Sequence, residues 1–188
     1  LGLGNIGPEA SKPVMEGKAL LFKIFSDIDV FDIEVDATDI DKFVETVKAI
    51  APTFGGINLE DIKAPESFEI ERRLVEELNI PVMHDDQHGT AIISSAALLN
   101  ALEIAEKDIT KIKVVVSGAG SAALACANLY VLLGVKPENL YMFDVNGLLT
   151  TCRDDVSELQ MRYAKSCNPG PLSEIIKDAD MFLGLSVG

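Results

Sequence analysis

Basic residues are scarce in this chain: 16 lysines and arginines stand against 30 aspartates and glutamates, a formal charge of −14 over 188 residues. That balance excludes the basic footprint that nucleic acid or an anionic membrane surface demands. Small ligands remain, and an anionic one needs a local metal or lysine to offset the general repulsion. Apolar runs are short, none approaching the roughly 18 residues of a membrane span, and no signal peptide is recognisable. Cysteine is sparse as well. Cys126, Cys152 and Cys167 are odd in number, widely spaced and free of any CxxC pair, a pattern that suits reduced, non-catalytic thiols in a cytoplasmic protein. Internal repeats and low-complexity tracts are missing too. What is present, at 48% hydrophobic residues, suffices for one substantial core or two small ones. The chain starts without Met and stops just after a strand-like segment, so it reads as an internal piece of something longer.

Acidic residues concentrate at two points. Ile57-Asn58-Leu59-Glu60-Asp61-Ile62 and Val82-Met83-His84-Asp85-Asp86-Gln87-His88-Gly89 each place an acidic pair after a short apolar run. Each run reads as a buried strand, and the helical pattern of residues 66–78 lies between them. Strand, helix, strand implies a parallel pair, with both carboxylate pairs at the C-terminal strand ends where open α/β sheets gather ligands. Acids crowded there repel one another unless a cation sits among them. An all-oxygen set points to Mg²⁺ or Mn²⁺. The competing interpretation is that the acids are strand-end caps facing water. His84 and His88 have the i, i+4 spacing of a zinc HExxH helix. Asp85 stands where that motif needs Glu, however, and Pro81 with its apolar run places His84 at a strand end. Histidines behind the site or facing solvent fit better.

Taken in order, Gly2, Gly4 and Gly7 form a G-x-G-x-x-G without the flanking context that a dinucleotide loop requires. Pro13 would fall in the second turn of a helix opened by Pro8, so the helix is expected from near Pro13 to Phe25. Lys18 lies near its apolar side. Such a lysine usually snorkels to water, but beside a metal-bound substrate its ammonium form is disfavoured, which suits a general base. Residues 30–35, VFDIEV, alternate as a strand does. Helices are expected over 39–51 and 66–78, and from Gly89-Thr90 to about Glu106. The charged segment 107–113 is the best boundary, dividing a domain of residues 1–108 from one of residues 109–188.

The second half opens with a strand, Lys113–Ser117, that runs directly into Gly118-Ala119-Gly120-Ser121-Ala122-Ala123 and then an unbroken helix to Leu133. Another strand, Leu140–Phe143, ends at Asp144. This is the full dinucleotide context: Gly118 for the turn, Gly120 for close approach of the pyrophosphate, Ala123 for helix-to-strand packing, and Asp144 for the ribose hydroxyls. A plain βαβ unit with small residues for packing is the alternative. Asn146-Gly147 marks a turn, and a helix over 172–179 feeds a strand at 181–185. The fold class is therefore α/β: a substrate and metal domain followed by a Rossmann-type NAD(P)-binding domain that reads as truncated.

The glycine run, PVMEGK, GGINLEDI, HDDQHGTA and VVVSGAGSAA, in this order and at these spacings, closely resemble the bacterial-type malic enzymes over essentially the whole chain. The resemblance implies oxidative decarboxylation of (S)-malate to pyruvate and CO₂, with NAD or NADP and Mg²⁺ or Mn²⁺, in a homodimer or higher homo-oligomer. By resemblance Glu60, Asp61 and Asp86 are the metal ligands, Lys18 is the general base with Asp85 beside it, and the first glycine run lines the substrate side. The family's tyrosine acid lies upstream of Leu1 and an asparagine-bearing substrate segment lies beyond the end, so this segment alone is expected to turn over poorly or not at all. Gln160, in a segment where some NADP-using relatives carry lysine, tilts the cofactor towards NAD. Two rivals are the malolactic reaction, which releases lactate, and a dinucleotide-binding module that has lost catalysis.

Overall fold

The computed structural model describes residues 6–167 and 170–186, and the chain packs as two compact units, Leu1–Met83 and His84–Gly188. The packing thus divides the chain ahead of the helix over 85–104, whereas the composition changes at 107–113. That helix packs along the one over 121–133, which is why it belongs to the second unit.

The first unit holds α1 (Pro8–Ser26), α2 (Ile40–Ile50), β1 (Ile57–Leu59), α3 (Glu66–Glu77) and most of β2 (Val82–His84). Its core is Val44 and Val47 of α2, Leu59 of β1, and Ile70 and Leu74 of α3, with Ile57 and Val82 packed against it. Asp39 caps α2 by accepting from the Lys42 amide at 2.8 Å. Two expectations fail here. Pro8 opens α1 and Pro13 sits inside it. Pro13 removes only the amide that would meet the Glu9 carbonyl, and that first turn is exposed, so water serves the orphan acceptor. Residues 30–35 form no strand. Alternation is only half of what a strand needs, and no described neighbour supplies a ladder. Asp32 and Glu34 instead face Lys12 at 2.5 and 3.6 Å, and Phe31 packs on Phe54 at 6.3 Å between ring centroids. The glycine run at 1–7 lies outside the described residues except for its end, where Gly7 has φ 83°.

The second unit contains α4 (Asp85–Ile104), β3 (Val114–Ser117), α5 (Ser121–Leu133), β4 (Leu140–Asp144), β5 (Gly147–Leu148), α6 (Glu158–Met161), α7 (Leu172–Ile175) and β6 (Met181–Gly184). Its sheet has the order β5-β4-β3-β6. β4 and β6 flank β3 in parallel, with Val114 opposite both Leu140 and Met181. β5 returns antiparallel after the Val145-Asn146 turn, and Gly147 at φ 113° faces Asp144. Val114, Val115 and Val116 are wholly buried, the continuous apolar run of a strand covered on both faces. Small residues let α4 and α5 approach closely: Ala91 and Ser95 on one, Ala123, Cys126 and Ala127 on the other are buried. Ser94 Oγ lies 3.4 Å from Cys126 Sγ, and burial pushes the Cys126 thiol up from its ordinary pKa. No helix among the described residues is long and apolar enough to cross a membrane.

Candidate active site

In the first unit the Ile57 amide donates to the Pro81 carbonyl at 2.9 Å. The start of β1 therefore lies against the residue just before β2, and the two strands pair side by side in the same direction. Glu60 and Asp61 follow the end of β1. Asp61 takes φ 55°, a left-handed conformation that Asp tolerates better than most residues and that turns the chain sharply at the strand end. Lys18, from the middle of α1, places Nζ 3.0 Å from Glu60 Oε2, with both side chains largely covered. One predicted ligand and the predicted base are thus neighbours. Sequence spacing could not have shown this, because 42 residues separate them.

In the second unit, β2 passes straight into α4. The helix begins at Asp85, four residues earlier than the apolar pattern suggests, because two carboxylates at the first turn suit the positive end of the helix dipole. The Asp85 carboxylate folds back along its own helix. A Cβ at Gly89 would overlap it, so the glycine one turn on makes the space that this acid occupies. His84 is fully buried, with Nδ1 3.9 Å from Asp86 Oδ2, while His88 is exposed. His84 ends a strand and stands outside the helix, so the two do not form a zinc pair on one helix. An all-carboxylate donor set, already bent around a strand end, fits a hard divalent cation that prefers oxygen.

The dinucleotide loop has the expected strand-loop-helix form. Gly118 has φ 127°, and a Cβ there would lie 2.7 Å from the Leu185 backbone, so two strand ends close on each other at this residue. Gly120 meets nothing within 4 Å. It opens α5, whose N-terminus carries no side-chain cap. An uncapped helix start behind an open glycine is what a pyrophosphate needs: backbone donors, a favourable dipole and room to approach. The residues present fit a dinucleotide.

Arg153 was not singled out in the sequence. It grips Asp144, the expected ribose acceptor, from Nη1 at 2.9 Å and Nη2 at 2.5 Å. It lies nine residues past Asp144 across the β4–β5 turn, a spacing without motif character. Asp155 takes its Nε at 2.8 Å and its Nη2 at 2.7 Å. Arg153, with help from Asn146, holds the Asp155 carboxyl well below the usual carboxylate range. Gln160, part of a capping box with Ser157, donates from Nε2 to the Ala119 carbonyl at 2.9 Å, linking α6 to the glycine loop. The expectation of three reduced thiols is corrected. Cys152 and Cys167 form a disulfide with their Cα atoms 5.5 Å apart, brought together because the chain doubles back where Thr150 bridges Lys165. Only Cys126 is free.

A family model described as "Malic enzyme, NAD binding domain" matches residues 87–186, and one described as "Malic enzyme, N-terminal domain" matches residues 1–39 and 37–75. An NAD-dependent malic enzyme of Rhizobium meliloti is 60% identical over 99% of the chain and 24% of its own length. An NADP-dependent malic enzyme of Escherichia coli is 57% identical over 99% of the chain and 25% of its own length. The chain therefore spans about a quarter of these relatives. The solved structure of an NAD-dependent malic enzyme from Thermotoga maritima superposes with a TM-score of 0.91 at 47% identity, covering 100% of this chain and 51% of that one.

Proposed function

Starting from the fact that this chain belongs to the malic enzyme family, we propose that it carries the metal, base and cofactor-binding part of an enzyme that oxidatively decarboxylates (S)-malate to pyruvate and CO₂. The observation that carries the reading is the Lys18–Glu60 contact at 3.0 Å, which sets the candidate base beside a carboxylate of the kind a divalent ion requires.

Glu60 and Asp61 after β1 and Asp86 after β2 hold Mg²⁺ or Mn²⁺ in this reading, supported by the parallel start-to-start pairing of the two strands and by their oxygen-only chemistry. When bound, the ion would supply positive charge for the substrate hydroxyl and carboxylate, and NAD or NADP would supply the hydride-accepting capacity. Lys18 Nζ takes the proton of the 2-hydroxyl. Asp85, housed against Gly89, contributes a fixed negative charge that orients the lysine. Gly118, Ala119, Gly120, Ser121, Ala122 and Ala123 seat the pyrophosphate at the start of α5, and the Asp144–Arg153 pair faces the adenosine ribose. The protein acts as a homodimer or larger homo-oligomer in this reading, which size measurement in solution checks.

The direct assay is malate-dependent reduction of NAD⁺ or NADP⁺ by the intact protein, with pyruvate identified as product. Asp86→Ala is expected to abolish it. Full activity in that variant would remove Asp86 from the metal site.

A further inference from the structure

Every N–H of the Arg153 guanidinium is engaged. Nη1 serves Asp144 Oδ1 and the carbonyls of Gly147 and Leu148 at 2.9, 3.3 and 3.2 Å. Nη2 is divided between Asp144 Oδ2 at 2.5 Å and Asp155 Oδ2 at 2.7 Å, and Nε meets Asp155 Oδ1 at 2.8 Å. The inner edge of the fork thus holds Asp144, and the outer Nε–Nη2 edge holds Asp155. The pair with Asp144 is well covered, at 17% and 18% side-chain exposure, whereas Asp155 is 50% exposed. Asn146 Nδ2 steadies Asp155 from the turn side at 2.9 Å.

An acid at the end of this strand reads the ribose 2′-hydroxyl, and an arginine nearby is what accommodates a 2′-phosphate in its place. The strong form of that recognition is a two-pronged fork with free N–H groups. Here the arginine is present but its solvent-facing prongs are plugged. Two carboxylates around one guanidinium also leave a local charge of one negative, which repels a phosphate. Arg153 raises no such barrier to a ribose hydroxyl, which needs only a spare lone pair on Asp144.

We propose that Asp155 determines cofactor choice: by occupying the Nε–Nη2 edge of Arg153 it withholds the fork from a 2′-phosphate and biases the site towards the dinucleotide with a free 2′-hydroxyl. This rests on the dinucleotide reading above and sharpens it to one residue. Because Arg153 and Asn146 keep the Asp155 carboxyl ionised well into the acid range, the plug stays in place at neutral pH.

The test is equilibrium binding of NAD⁺ and NADP⁺ to the intact protein, followed by calorimetry without malate or metal. Three forms are compared: wild type, Asp155→Asn and Asp154→Asn. Asp155→Asn removes the charge and one of the two acceptors facing Arg153, and is expected to tighten NADP⁺ about tenfold relative to NAD⁺, the scale of one charge-assisted hydrogen bond. Asp154→Asn removes the same charge one residue away, from an exposed acid, and is expected to leave the ratio unchanged. An unchanged ratio in Asp155→Asn overturns the proposal. So does an equal shift in Asp154→Asn, which would make the effect one of general charge, and so does a wild type that prefers NADP⁺. Wild type that binds neither dinucleotide overturns the cofactor reading itself, and the proposal with it.

Discussion

The two units solve the problem of building a site in different ways. The second rests on a sheet whose central strand is wholly buried from Val114 to Val116 and flanked in register on both sides, so its glycine loop projects from a rigid edge. The first has strands of three residues and a helix, α1, with no buried residue at all. Leu20, Leu21, Ile24 and Phe25 on that helix are 51–80% exposed, yet the same helix supplies Lys18. In one unit, burial positions the backbone of the candidate cofactor loop. In the other, an ion pair with Glu60 positions the candidate base.

That contrast can be broken from the largest effect downward. Lys18→Ala is expected to lower kcat by about 10²- to 10⁴-fold, the range of a positioned general base, while leaving the urea midpoint nearly unchanged. A large loss of stability instead would make Lys18 a structural residue. Leu140→Ala, at a fully buried position of β4, is expected to cost about 2–5 kcal/mol in chemical denaturation. Leu20→Ala, at 59% exposure, should stay within about 0.5 kcal/mol, and comparable losses would erase the difference between the units.

Within the glycine loop the same comparison sharpens to neighbouring residues. Gly118→Ala forces a side chain into a left-handed backbone and against Leu185, and is expected to cost about 1–3 kcal/mol of stability. Gly120→Ala finds open space. It should leave stability nearly untouched and weaken only dinucleotide binding, so calorimetry and denaturation separate the two.

The smallest expected effect is one of pH. The Asp155 carboxyl is lowered by Arg153 first and by Asn146, so its folded pKa lies below its unfolded one. Its stabilising share is complete above the unfolded value of about 3.9 and is lost only as pH falls through the depressed folded value. NMR titration of the Asp155 carboxyl checks this, and a midpoint in the ordinary range would remove the ion pair from the account.

Most of the second unit's elements could be read from sequence, because a run such as Val114–Ser117 followed by Gly118 and Gly120 states both its burial and its turn within ten residues. The short elements that such periodicity does not reach, β5 and α6, depend on a turn glycine and a capping box. In the first unit α2, β1 and α3 followed from local pattern, but the start of α1 and the segment 30–35 did not. Proline's cost depends on whether the orphaned carbonyl meets water, and alternation becomes a strand only if a partner strand lies beside it.

By itself the sequence determined which residues are candidates for the site, since carboxylate pairs at strand ends and glycines before a helix are local consequences of covalent order. Only the tertiary structure decided which side chains meet, including ones the sequence had not singled out: Lys18 with Glu60, Arg153 with both Asp144 and Asp155, Gln160 with Ala119, Cys152 with Cys167. Those meetings depend on how elements distant along the chain pack and turn back, and no spacing along the chain encodes that distance.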